Sequence, residues 1–215
     1  ARMREGTALS AFLQALASRE LVVRLAARRI ASCGMEGVPR ISRAQKMDAL
    51  SSQANIAGYK GMLSAAEALA KFFPMLMTAA GTIPPARVFV IGAGVAGLEA
   101  IGTAKRLGAL VEAYDTRPAV KEEVESVGAK FVDLDLHAAD AGEKGCYAKS
   151  QSAEFYQKQQ DMMSTHVATA AIVITTALVH GTRAPVLITA AMVRNMKPGS
   201  VIVDLAADQG GNCAL

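Results

Sequence analysis

Along residues 9–30 the apolar positions recur at helical spacing, Leu9, Phe12, Leu13 and Leu16 being followed by Leu21, Val22, Leu25 and Ala26. Positions three and four apart share a helix face, so the pattern predicts two short helices, broken near Ser18, which is placed to cap the second. A short strand is expected over 31–36, weakened by Gly34, and Gly37-Val38-Pro39-Arg40-Ile41-Ser42 leaves it as a loop. Met47, Leu50, Ile56, Tyr59, Met62, Leu63, Ala66, Leu69 and Phe73 predict one long helix over 44–77, with breaks at Gly58 or Gly61 and again before Pro74.

Gly81-Thr82-Ile83-Pro84-Pro85 reads as a linker, because consecutive prolines force an extended path. The expected division is a partial first lobe over 1–80, with its loop and long linking helix, and a second domain over 81–215. Beyond the linker, apolar runs of strand length alternate with helix-length segments: Arg87–Ile91, Leu110–Tyr114, 130–132, 171–175 and 201–205 as strands. That alternation predicts an α/β architecture, a doubly wound parallel sheet with crossover helices, beside part of a second α/β lobe. Residues 136–150, rich in Ala, Gly, Lys and Asp, have no periodicity and are expected to form a long mobile loop.

Composition narrows the function classes. Of 215 residues, 52% are hydrophobic and 20% charged, which excludes general disorder and gives enough apolar material for a core. Cys33, Cys146 and Cys213 lie far apart with no Cys-x-x-Cys, so neither a disulfide framework nor a metal site is legible, and a reducing compartment fits. The net charge of +4 comes from Lys and Arg scattered among Asp and Glu, which gives no nucleic-acid-binding stripe. The apolar stretches 88–104 and 168–179 are too short or too interrupted by glycine to span a bilayer, and Glu99 lies in the first, so no direct membrane insertion is expected. The chain opens without a signal-peptide layout and stops at Asn212-Cys213-Ala214-Leu215 without a closing helix, which reads as a fragment.

The sharpest chemical signal is Gly92-Ala93-Gly94-Val95-Ala96-Gly97, directly after the strand Arg87–Ile91 and before helix-forming Leu98-Glu99-Ala100-Ile101. Gly92 permits a tight turn, Gly94 removes the Cβ that would block a pyrophosphate, and Gly97 lets helix approach strand, with the helix amino end facing the phosphates. The next strand runs into Asp115, 18 residues after Gly97, where a carboxylate accepts hydrogen bonds from adenosine ribose hydroxyls. This is the pattern of a Rossmann-like NAD(H) site, and a carboxylate at Asp115 disfavours the 2′-phosphate of NADP. Two alternatives stay open: Asp115 as a cap for a helix beginning near Arg117, and Arg117 either offsetting the carboxylate or simply solvated.

The run Pro39-Arg40-Ile41-Ser42-Arg43-Ala44-Gln45-Lys46-Met47-Asp48-Ala49-Leu50-Ser51-Ser52-Gln53 resembles the signature of the NAD(H)-binding component, domain I, of proton-translocating nicotinamide nucleotide transhydrogenases. The resemblance continues through Ala54-Asn55-Ile56-Ala57-Gly58-Tyr59, Met77-Thr78-Ala79-Ala80-Gly81-Thr82, the glycine loop, Thr175-Thr176-Ala177-Leu178, Met196-Lys197-Pro198-Gly199-Ser200, Asp204-Leu205-Ala206 and Gly210-Gly211-Asn212. It is nearly continuous from Pro39 and weak before it, where most of the expected first lobe is missing.

The resemblance implies a site. Arg40, Gln45 and Asp48, with Ser51 one turn on, stand beside the nicotinamide ring as the catalytic set. Gly92, Gly94, Val95, Ala96, Gly97, Asp115, Thr116, Arg117, Thr176, Ala177 and Leu178 bind cofactor, and Tyr147-Ala148 lies on a loop that closes over nucleotide. The donors of Arg40 and the two-sided amide of Gln45 suit a carboxamide and a ribose or phosphate, although Arg40 with Asp48 also reads as a helix-start ion pair, and Tyr147 as a surface tyrosine.

The implied activity is direct hydride transfer from NADH to NADP+ on a partner domain, coupled in the intact enzyme to proton translocation. Such a transfer needs ring alignment and no general base, so His137, His166 and His180 are expected in loops or on the surface. The implied partners are the NADP(H)-binding domain and the transmembrane domain, with a homodimer of this chain. The implied location is a peripheral face of a membrane complex, mitochondrial on the matrix side or bacterial on the cytoplasmic side. Competing readings are an alanine-dehydrogenase-like oxidoreductase and a non-catalytic NAD-binding module.

Overall fold

A computed structural model describes residues 3–39, 41–134, 153–179 and 183–215. Contacts divide the chain into two compact units, Ala1–Ala54 and Asn55–Leu215. In the first unit, strand β1 (Ala8–Ala11) is followed by helix α1 (Arg19–Ala27) and strand β2 (Ala31–Gly34). The two strands pair in parallel, Ala8 beside Ala31 and Ala11 beside Gly34. The first of the two expected helices is therefore a strand. Its apolar spacing does not make a buried face, since Phe12 and Leu16 are 48% and 80% exposed, and what decides the segment is the ladder it forms with β2. Leu13, Leu25 and Ile30 make a small core. Ser18 holds the N-cap position of α1 without a side-chain cap bond.

Helix α2 (Ala49–Ala68) is shorter than the expected 44–77 and has no break at either glycine. Asp48 caps it: its carboxylate accepts from the Ser51 N–H at 2.9 Å and the Ser51 hydroxyl at 2.6 Å. Beyond α2 the predicted helix end and linker are instead a hairpin, β3 (Leu76–Thr78) antiparallel to β4 (Gly81–Ile83). Gly81 takes φ +135°, a value L side chains rarely adopt.

The rest of the second unit alternates as expected: β5 (Arg87–Ile91), α3 (Val95–Arg106), β6 (Leu110–Tyr114), α4 (Lys121–Ser126), β7 (Lys130–Phe131), α5 (Ala153–Thr169), β8 (Ile172–Thr175), α6 (Ala190–Arg194) and β9 (Val201–Asp204). The sheet order is β7-β6-β5-β8-β9, all parallel. Alternate residues of each strand feed opposite faces. Val88 and Val90 join Met62 and Ala65 of α2 and Ala100, Ile101 and Ala104 of α3, whereas Phe89 and Ile91 join Met163 and Val167 of α5 and Met192 of α6. Burial on both faces explains why β5 and β8 read as near-continuous apolar runs rather than alternating ones. Among the described residues no helix is long and apolar enough to cross a membrane.

Candidate functional site

The first two strands of this sheet in chain order, β5 and β6, build in one direction, and β8 returns to the other side of β5. The crevice beyond the carboxyl ends of β5 and β8 is thus a topological switch point, where such sheets bind ligands. The glycine loop lies there. Gly92, at φ +93°, donates its N–H to the Tyr114 carbonyl at 2.8 Å and turns the chain out of the sheet. A Cβ on Gly97 would run into the Gly92 carbonyl, so only glycine brings α3 this close to β5. Among the described residues a Cβ on Gly94, by contrast, would meet nothing nearer than Arg117 Nη2 at 3.9 Å. The backbone there is open to an approaching phosphate group, and it begins a 12-residue helix, α3, of which Gly94 is the N-cap. The chain therefore fits a dinucleotide at this loop.

Asp115 stands at the end of β6. Its Oδ2 accepts from the Ala93 N–H at 2.8 Å, tying the glycine loop to the next strand, and its Oδ1 accepts from the Arg117 N–H at 2.9 Å. The Arg117 side chain closes on the same carboxylate, Nε to Oδ1 at 2.9 Å and Nη2 to Oδ2 at 2.8 Å. The solvated alternative for Arg117 is incorrect: its side chain is 14% exposed and that of Asp115 6%. The bond from the Arg117 N–H is an Asx-type turn leading into the 3₁₀ turn Pro118–Val120, so Asp115 shapes the helix entry while holding the loop.

On the opposite wall, the Thr176 hydroxyl donates to the Gly92 carbonyl at 2.9 Å, latching the β8 loop to the glycine turn. Asn212, fully buried, wires the same loop to the chain beyond β9. Its Oδ1 accepts from the Ala177 N–H at 2.9 Å, and its Nδ2 donates to the carbonyls of Ala177 at 2.9 Å and Pro185 at 2.8 Å. Asp204 completes the wiring, accepting from the Thr175 hydroxyl at 2.9 Å and from the N–H groups of Ala206, Asn212 and Cys213. Ala177 and Leu178 are half-buried at this rim.

Of the cofactor set, the second unit brings together Gly92, Gly94, Asp115, Thr116, Arg117, Thr176, Ala177 and Leu178 on the loops leaving β5, β6 and β8, with Val95, Ala96 and Gly97 in the first turn of α3. Gln45, exposed in the 3₁₀ turn Gln45–Met47, and Asp48 and Ser51 at the start of α2 belong to the first unit. Asp48 and Ser51 are bonded to each other as a helix cap. Arg40, Tyr147, Ala148 and the expected loop 136–150 lie outside the described residues, as do His137 and His180. His166 is neither in a loop nor free on the surface. It sits on α5, stacked on Phe89 with ring centroids 5.4 Å apart, and its Nδ1 is 3.0 Å from Glu112 Oε2. Burial pushes the Glu112 carboxyl up, but His166, Arg87 and Lys130 around it prevail and leave it below its ordinary value.

Several contributors carry no legible role in the sequence pattern. Gly58, expected as a helix break, is a contact: a Cβ there would strike the Ala96 carbonyl at the start of α3. Asn212 and Asp204 stand in the sequence only as letters of longer motifs. Tyr114 OH receives Gln159 Nε2 at 2.9 Å, and burial pushes the phenol up to about 12, with Asp115 and Asp133 adding to the shift against that bond. A lone buried Gln on a helix leaves no readable signal, since its partner is 45 residues away.

The chain matches two adjoining family models, the alanine dehydrogenase/PNT N-terminal domain over residues 1–57 and C-terminal domain over residues 61–215. It is 51% identical over 213 residues to the NAD(P) transhydrogenase subunit alpha of Haemophilus influenzae, covering 99% of this chain and 41% of that one. The similarity therefore reaches ahead of Pro39, where the sequence motifs are weak. A transhydrogenase structure from Sinorhizobium meliloti superposes with a TM-score of 0.84 at 46% identity, covering 98% of this chain and 56% of that one. An L-alanine dehydrogenase superposes with a TM-score of 0.73 at 29% identity, covering 98% of this chain and 53% of that one. The chain thus spans about half the length of the relatives it matches.

Proposed function

The chain belongs to the alanine dehydrogenase/PNT family, and we propose that it is the NAD(H)-binding component of a transhydrogenase, presenting NADH for direct hydride transfer to NADP+ on a partner domain. The observation that carries this reading is the open backbone at Gly94, at the start of α3 and beside a carboxylate at the end of β6, within a sheet whose switch point lies at that loop. Bound NADH supplies the hydride. Gly92, Gly94 and Gly97 shape the phosphate cradle, Asp115 reads the adenosine ribose, and the β8 loop, held by Thr176 and Asn212, forms the second wall. Arg40, Gln45, Asp48 and Ser51 align the nicotinamide, and Tyr147-Ala148 closes over the nucleotide. In the intact enzyme this chain acts as a homodimer on a peripheral face of a membrane complex, coupled through its partner domains to proton translocation.

The test separates alignment from binding. Gln45→Ala, assayed in single turnovers with a supplied NADP-binding domain, is expected to slow hydride transfer roughly ten- to a hundredfold, about 1.4 to 2.7 kcal/mol of barrier, while weakening NADH only modestly. An untouched rate at saturating NADH, or full recovery on raising its concentration, refutes the alignment role.

A further inference from the structure

The Asp115 carboxylate has about four acceptor positions, and among the described residues four donors fill them. Two are backbone N–H groups, Ala93 on Oδ2 and Arg117 on Oδ1, and two belong to the Arg117 guanidinium, Nε on Oδ1 and Nη2 on Oδ2. A ribose diol that hydrogen-bonds this carboxylate must take acceptor positions already in use. The backbone donors are fixed by the turn and the glycine loop, whereas the guanidinium is the end of a flexible side chain. It is the group that can leave.

Its position adds a second constraint. Among the described residues Arg117 Nη2 is also the side-chain atom nearest to the space above Gly94, 3.9 Å from where a Cβ would stand. The guanidinium therefore borders both the ribose-reading carboxylate and the phosphate-facing backbone. The pair is also neutral as a unit, so the Arg117 cation offsets the negative charge that would reject a 2′-phosphate.

We infer that Arg117 is a specificity-determining residue that competes with the ribose for Asp115 and, once displaced, supplies the cation that moderates rejection of NADPH. The inference rests on the nucleotide-binding reading of this site. It makes the side chain work in opposite directions on the two nucleotides. Arg117 weakens NADH, because the fork-shaped pair must be broken to seat an unphosphorylated ribose. It also assists NADPH, because a cation tethered two residues from Asp115 offsets the carboxylate that repels the 2′-phosphate.

Binding of NADH and of NADPH to the 215-residue chain, measured by calorimetry for wild type, Arg117→Ala and Arg117→Lys, tests it. Arg117→Ala is expected to tighten NADH by roughly threefold to tenfold and to weaken NADPH by roughly tenfold, so that the preference for NADH widens. Arg117→Lys keeps the charge without the two-pronged fork, so NADH is expected to tighten while NADPH stays within roughly threefold of wild type. If Arg117→Ala does not fold, the lysine variant carries the test alone. Parallel loss of both nucleotides in either variant, or an unchanged ratio, overturns the inference while leaving the site intact. Failure of the wild-type chain to bind either nucleotide overturns the site reading and this inference with it.

Discussion

Replacing Asn212 by Asp changes one buried NH2 to an oxygen and should be among the most damaging isosteric substitutions in the second unit. The Asn212 amide is used at both ends: it accepts from the Ala177 N–H and donates to two carbonyls, Ala177 at 2.9 Å and Pro185 at 2.8 Å. An aspartate keeps the accepted bond but sets a carboxylate oxygen against both carbonyls, close to Asp204, which accepts the N–H of residue 212 itself. Two lost bonds at about 1 kcal/mol each, with two carbonyls left facing a charge in a site that is fully buried, give a cost of about 3–5 kcal/mol near neutral pH. Asn212→Ala loses all three bonds yet introduces no charge, so it should cost less, about 3 kcal/mol. The sign with pH follows from the buried acid. Its pKa is raised in the native state, the native state binds the extra proton more tightly, and Asn212→Asp should recover stability relative to Asn212→Ala as the pH falls. Urea unfolding followed by far-UV circular dichroism reads both quantities. A cost below about 1 kcal/mol for Asn212→Asp near neutral pH, or no recovery in acid relative to Asn212→Ala, refutes the two-ended role assigned to the amide.

Gly58→Ala should lower NADH affinity as well as stability, by about 1–3 kcal/mol, because the added methyl forces α2 away from the Ala96 carbonyl at the start of α3; wild-type melting and nucleotide binding refute the contact. Glu112, whose carboxyl is held below its ordinary value, contributes stability that is present above the unfolded carboxylate pKa and lost as the pH falls through the native one. Glu112→Gln should therefore flatten the acid limb of the stability profile, and an unchanged acid limb counts against the Glu112–His166 pairing. Tyr114, pushed up to about 12 mainly by burial, contributes stability that is complete below the ordinary phenol pKa of 10.0 and lost as the pH rises through about 12. Tyr114→Phe should remove that alkaline loss, read by chemical denaturation across the alkaline range.

The strands β5 and β6, the glycine loop between them and Asp115 at its far end were legible in the sequence because each is decided locally. β5, buried over residues 88–91, is a continuous apolar run there, β6 keeps apolar residues around Glu112, and a turn that brings a helix against its strand requires glycine at fixed spacings. The site residues on that loop carry their chemistry in their own backbone geometry. What the sequence left open or misread depends on partners far along the chain. Ala8–Ala11 is a strand because Ala31–Gly34 lies beside it, and no period within four residues could say so. Gly58 is a close approach rather than a break because Ala96 is packed against it, and Leu76–Thr78 is a strand because Gly81–Ile83 pairs with it. Arg117 is the partner of Asp115, and Asn212 the tie between two loops, since hydrogen-bond satisfaction is a property of pairs rather than of residues. Tertiary structure decides which donors reach a buried acceptor, because an unpaired buried polar group costs more than most local preferences can supply.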